Sequence, residues 1–314
     1  MKVSKSVLSE LVSVGISSLA MAVAFASPTF AAVYTVGPSQ TYSTIQDAIN
    51  AAAGADVGSS GDNDPNPDPV DIVVYAGTYT ENLVVPTDAT NKFNGKNDGW
   101  TIRANTGDNV LLKGKIDFGV DRDNGVLRGI DIDWTGQNYA ISFSQTARNT
   151  LVENALIYGG TAGGHPAISG ANFYGSNNLN HVTIYGADYG VSVGYASSLN
   201  MTNSIVAFSV NSAFYSSNGS SISYSDFYGN NPNFTSGNVD GGNNLNYPTG
   251  LDPMFVSTNP LDPHFLWLQQ GSPASGAASD SGNMGARPTL VPEPTVLGVL
   301  CLGGMFLAGR RRRL

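Results

Sequence analysis

The chain has 314 residues, with 37 glycines, 16 prolines, one cysteine and a formal charge of −9. A lone cysteine, Cys301, excludes a disulfide framework, so any large fold must rest on packing and hydrogen bonds. The acidic balance makes nucleic acid and anionic membrane surfaces poor partners.

In chain order, Lys2 and Lys5 precede an apolar stretch over residues 11–25, interrupted only by serines. Small-residue sites follow at Ala24-Phe25-Ala26 and Thr29-Phe30-Ala31. This is the pattern of a secretory signal peptide, residues 1–31, with cleavage expected after Ala31 and export as the consequence. Glu10 is an unusual acid so close to the apolar stretch, and an uncleaved N-terminal helix is the alternative.

Residues 32–290 are expected to form one domain. They carry nine basic and 22 acidic residues, a net charge of −13, because the other six basic residues sit at the two ends. At its start, Ser43-x-x-Gln46 reads as a capping box, and Ile45, Ala48, Ile49 and Ala52 fall on one helical face. A short helix here could plug an open sheet end. Asp62, Asp64, Asn66 and Asp68 alternate through a proline-broken loop and could converge on Ca²⁺. Pro67 stands where such a loop needs glycine, so a solvated acidic loop is the competing reading. Residues 71–81 then give a strand and a turn.

From Leu127 the chain repeats an apolar, spacer, small, apolar template. The instances are Leu127-Ile130-Ile132, Leu151-Asn154-Leu156, Leu179-Val182-Ile184, Met201-Ser204-Val206 and Ile222-Ser225-Phe227, at spacings of 24, 28, 22 and 21 residues. A second motif keeps pace: Ala140-Ile141, Ala167-Ile168, Gly190-Val191 and Ala213-Phe214. Such a period is too short for βαβ units and fits one coil of a parallel β-solenoid, whose coils bury their apolar edges by stacking. A leucine-rich horseshoe would need a fixed Asn or Cys after each template, and the matching positions vary.

Thr44-Ile45-Gln46-Asp47-Ala48-Ile49 followed by Gly77-Thr78-Tyr79-Thr80-Glu81 resembles the opening of pectin-lyase-like right-handed parallel β-helices. Asp252-Pro253-Met254-Phe255 and Gly271-Ser272-Pro273-Ala274 resemble the closing segment of exported bacterial members. The resemblance implies an all-β, single-stranded right-handed parallel β-helix with an N-terminal cap helix. That fold carries lyases, hydrolases, esterases and inert surface proteins alike, so chemistry has to be argued from residues.

Asp131 and Asp133 alternate with Ile130 and Ile132 and should point outward, with Asp117 expected on the preceding coil of the same ladder. Three such carboxylates could hold Ca²⁺ against a uronic-acid polymer or act as acid and base on a glycosidic bond. The competing reading is a solvated face balanced by Lys113, Lys115 and Arg128. Between Arg148 and Arg287 there is no lysine or arginine, which leaves Arg103, Lys113, Lys115, Arg122, Arg128 and Arg148 as candidate cationic bases for β-elimination. The polygalacturonase motifs are absent, Gly163-Gly164-His165 echoing one faintly, and His181 and His264 have no evident partner in sequence. Trp134, Tyr158, Tyr185, Phe208 and Tyr228 close successive coils and could align into a stripe that stacks on sugar rings, or simply pack the turns.

The chain ends in Pro292-Glu293-Pro294, an apolar run and Arg310, Arg311, Arg312 and Arg313. At ~1.5 Å per residue the run spans only about 20 Å, short of a ~30 Å hydrocarbon core. The arginines should stay cytoplasmic. Residues 291–314 resemble the PEP-CTERM sorting signal, which implies a transmembrane helix that anchors the chain until an exosortase-type enzyme removes it. A plain membrane anchor is the alternative. Together these features predict an exported, non-catalytic surface or matrix β-helix at a polysaccharide-rich biofilm surface. The second expectation is a polysaccharide lyase or glycoside hydrolase.

Overall fold

The computed structural model describes residues 32–56, 70–85, 99–119, 125–143, 149–160, 163–170, 175–194, 197–217, 219–235 and 237–290. The expected signal and sorting segments and the Asp62, Asp64, Asn66 and Asp68 loop lie outside these residues. Among the described residues no helix is long and apolar enough to cross a membrane.

The strands form three sheets in which every neighbouring pair is parallel. A nine-stranded sheet runs from Ala32–Val36 to Asn238–Asp240. A second sheet of seven strands runs from Gly77–Thr80 to Asp226–Tyr228, and a third, also of seven, from Leu83–Val85 to Phe234–Thr235. Each coil visits the three in turn: Val126–Arg128, Ile130–Asp133 and Ile141–Phe143 make one, and Leu151–Glu153, Leu156–Tyr158 and Pro166–Gly170 the next. The architecture is a right-handed parallel β-helix, the hand that twisted strands impose on parallel crossovers.

Stacking puts like residues in columns inside the coil. Ile116, Ile141, Ile168, Val191 and Phe214 are in register on the third sheet, and all are buried. Ile132, Ile157, Ile184, Val206 and Phe227 make the matching column on the second. Each such side chain contributes about 1.5–3 kcal/mol by leaving water, which is how a chain without disulfides holds a stack.

One repeat instance shifts by a residue. Val152, not Leu151, pairs with Leu127 and Leu179, so the buried triplet of that coil is Val152, Ala155 and Ile157. Leu156 therefore points outward, yet it is buried beneath Phe265 and Leu266 of a later segment. An outward leucine under a cover imitates an inward one in sequence. Asn154 instead takes the one-residue corner between sheets, stacked with Gly129, His181, Asn203 and Tyr224, all at φ between 48° and 70°. Asparagine tolerates this left-handed conformation, which explains its abundance at such corners.

Helix α1 (Ile45–Asp56) buries Ile45, Ala48, Ile49 and Ala52, the face expected from sequence. Its cap differs. Asp47 N donates to Thr44 Oγ1 at 3.1 Å, while Ile45 N and Gln46 N each donate to the Glu81 carboxylate at 2.9 Å. Gln46 is freed from a capping box and instead bonds Val84 N and O at 2.7 and 3.1 Å, covering the end of the third sheet.

Residues 251–290 form no regular strand. They cross the outer face of the second sheet, packing Leu268, Ala274, Ala278 and Met284 on Ile205 and Ala207.

Candidate functional site

The three aspartates singled out in sequence do not share a ladder. Asp117 belongs to the third sheet, in register with Ser142 and Val84, whereas Asp131 and Asp133 lie on the second. The alternation around Asp117 is real, but each coil has three short strands, one per sheet, and period two alone does not tell one from another.

Asp117 sits in a small cluster. Lys115 Nζ lies 2.9 Å from Asp117 Oδ2 and 2.8 Å from the Tyr139 hydroxyl, and that hydroxyl donates to Asp117 Oδ1. The Tyr139 bond, and then Asp117, raise the Lys115 ammonium above its ordinary value, outweighing burial. Burial first, then Asp117, raises the Tyr139 phenol. The cluster reaches solvent, with about a quarter of the Lys115 and Asp117 side chains accessible (24% and 27%). It holds Lys115 as a cation rather than as a free base.

Asp131 is nearly closed off. Arg287, from the covering segment, forms an ion pair with its Oδ2, and Leu156 N donates to Oδ1 at 3.2 Å. Burial pushes this carboxyl up against the pull of Arg287. The arginine comes from 156 residues away, a partner that local pattern could not assign. Asp133 accepts from Thr135 N and Oγ1 at 3.1 and 2.6 Å and so closes a turn.

The aromatic stripe is present but turned to packing. Trp134 is fully buried. Tyr158 and Tyr185 are in register, and both meet the Phe265 ring edge-on, at 4.9 and 6.1 Å. Phe208 stands edge-on to Tyr185 and Tyr228, 5.6 Å from each, and is the most open of the five at 41% exposure. Burial, then Asp133 and Asp131, pushes the Tyr158 phenol up to about 12.

Of the candidate cations, Arg103 and Arg128 are engaged elsewhere, while Arg122 and Arg148 lie outside the described residues. Arg103 and Arg128 are in register on adjacent coils; Arg103 is paired with Asp71 at 2.8 Å and Arg128 with Glu153. Gly163 and Gly164 donate their N–H groups to the buried Asp188, so the Gly163-Gly164-His165 segment is a loop tied to the next coil. His181 bonds Asp280 and Asn283 across 99 and 102 residues of sequence. Among the described residues no group of three or more His, Cys, Asp or Glu side chains could hold a metal ion. Asp226, fully buried on the second sheet, gave no signal in sequence because Ser225-Asp226-Phe227 fits the outward alternation of any coil.

No protein-family profile and no curated protein matches the chain. Among solved structures, pectin methylesterase from Aspergillus niger aligns with a TM-score of 0.36 at 17% identity, over 68% of this chain and 82% of its own. The pectate lyase Pel9A aligns with a TM-score of 0.32 at 15% identity, over 82% and 96%. Likeness this low carries no argument about what the present chain does.

Proposed function

We propose that the chain is an exported, non-catalytic β-helix of the cell surface or extracellular matrix, delivered by an exosortase-type system and associated with exopolysaccharide. The observation that carries this reading is the covering segment. Residues 251–290 close over the face that bears Asp131, Tyr158 and Tyr185, and Arg287 occupies the Asp131 carboxylate that a metal or substrate would need. The acidic domain and the C-terminal Pro-Glu-Pro, apolar and arginine sequence support delivery to an outer surface.

The second reading, a polysaccharide lyase or glycoside hydrolase, is favoured by one cluster: Lys115, Asp117 and Tyr139 join a cation, a carboxylate and a phenol at solvent. Incubation of the protein with neutral and uronic polysaccharides, with and without Ca²⁺, separates the two. Retention of polymer without new unsaturated or reducing ends is the expected result. Product formation that disappears in Asp117→Asn or Lys115→Ala would overturn the non-catalytic reading.

A further inference from the structure

The covering segment runs directly into the C-terminal Pro-Glu-Pro sequence. Leu290 N donates to the Leu268 carbonyl at 2.7 Å, and Leu268 N donates to the Pro288 carbonyl at 3.0 Å. Thr289 Oγ1 bonds Ser275 Oγ at 2.7 Å. Leu268 itself packs on Ile205 and Ala207, while the neighbouring Phe265 and Leu266 pack on Leu156. Leu290 is therefore tied to the flank of the stacked coils, over the second sheet, rather than to an end of the stack. Only Val291, Pro292, Glu293 and Pro294 separate it from the apolar run over residues 295–309. A tether of that length reaches at most about 14 Å when fully extended.

That tether is short against a bilayer. The apolar run covers about 20 Å of a ~30 Å core, so arginines held on the far side draw the domain inward. The headgroup layer adds only roughly 5–7 Å on each side. Two side chains near the tether suit such a layer. Trp267 precedes the Leu268 that holds Leu290, and it stays partly open while Phe265, Leu266 and Leu268 are buried. Its ring stands edge-on to His264 at 5.0 Å, and its indole N–H has no hydrogen-bond partner among the described residues. An apolar ring with a free polar N–H fits the boundary between hydrocarbon and water. Leu261, in the preceding turn, is 91% exposed. The segment's one basic residue, Arg287, is bound to Asp131, so nothing here favours anionic lipid over zwitterionic headgroups.

We infer that residues 251–290 are the bilayer-facing flank of the anchored chain, with Trp267 and Leu261 seated among zwitterionic headgroups. The inference rests on the proposed delivery through the C-terminal tail. Two side chains bury too little surface to hold a soluble domain on a membrane unaided. The tether supplies the effective concentration that makes so small a contact persist. The same contact keeps Pro292, Glu293 and Pro294 at the membrane surface.

Tryptophan fluorescence tests this, because Trp100 and Trp134 are buried at 4% and 0% exposure and Trp267 is the third of three. The full chain is reconstituted in phosphatidylcholine vesicles and recovered by flotation. Its emission should shift to shorter wavelength and be quenched by lipid spin-labelled near the headgroup. Trp267→Phe should lose the quenching, and Leu261→Asp should weaken it, both with flotation unchanged. Leu300→Asp/Leu302→Asp places charge in the apolar run and should abolish flotation and quenching together. A chain that floats without quenching, or quenching that survives Trp267→Phe, overturns the inference and leaves tail anchoring intact. Flotation that survives Leu300→Asp/Leu302→Asp overturns tail anchoring itself, and the inference with it.

Discussion

Gly190 stands where successive coils approach too closely for any side chain. A Cβ there would lie 2.4 Å from the Ala213 carbonyl oxygen and 2.7 Å from Val206 Cγ1. Backbone cannot yield as a flexible side chain does, so Gly190→Ala should cost about 1–3 kcal/mol, read as a lower urea midpoint with an unchanged slope. Asp131 and Arg287 show a different dependence at the same scale. Arg287→Met strands a largely buried carboxylate and should destabilise the protein by on the order of 3 kcal/mol at neutral pH. Adding Asp131→Asn removes the stranded charge and should restore most of that loss. A double variant no more stable than the single one would show that the pair acts through packing instead.

At the scale of elements, the cap helix and the turn at Glu81 depend on each other. Glu81 donates nothing and accepts the first two free N–H groups of the helix, an arrangement that favours a negative charge at a helix N-terminus. Glu81→Gln keeps the shape and removes the charge, and should cost about 1 kcal/mol in urea denaturation. The two sequence motifs that resemble a β-helix opening are thus the two halves of one contact. The same scale explains the slipped repeat. Leu151 and Leu156 fit the template as well as Val152 and Ile157 do, and only strand pairing tells which set faces inward. A one-residue shift exchanges the two faces, so an apolar residue hidden by a cover defeats a reading based on alternation alone.

At the scale of the domain, the three sheets have different fates. The second sheet is covered by residues 251–290, while the third carries Lys115, Asp117 and Tyr139 at solvent. A glycan partner would therefore meet the third sheet before the predicted aromatic stripe, and the polysaccharide assay on Asp117→Asn bears on that face. The coil period, the inward columns on the third sheet and the buried face of the cap helix were all legible, because stacking repeats one local pattern many times. The candidate site was less legible. Asp117 was assigned to the wrong sheet, and the partners of Asp131 and His181 arrive from about a hundred residues or more away.

The sequence by itself determined a stacked parallel coil and its acidic character, because periodicity and composition are local and additive properties of the chain. Tertiary structure alone decided which carboxylates are sealed, which aromatics are packed and which face stays open. Those outcomes depend on where a non-repeating segment lies, and a segment with no period leaves no pattern in the sequence of the face it covers.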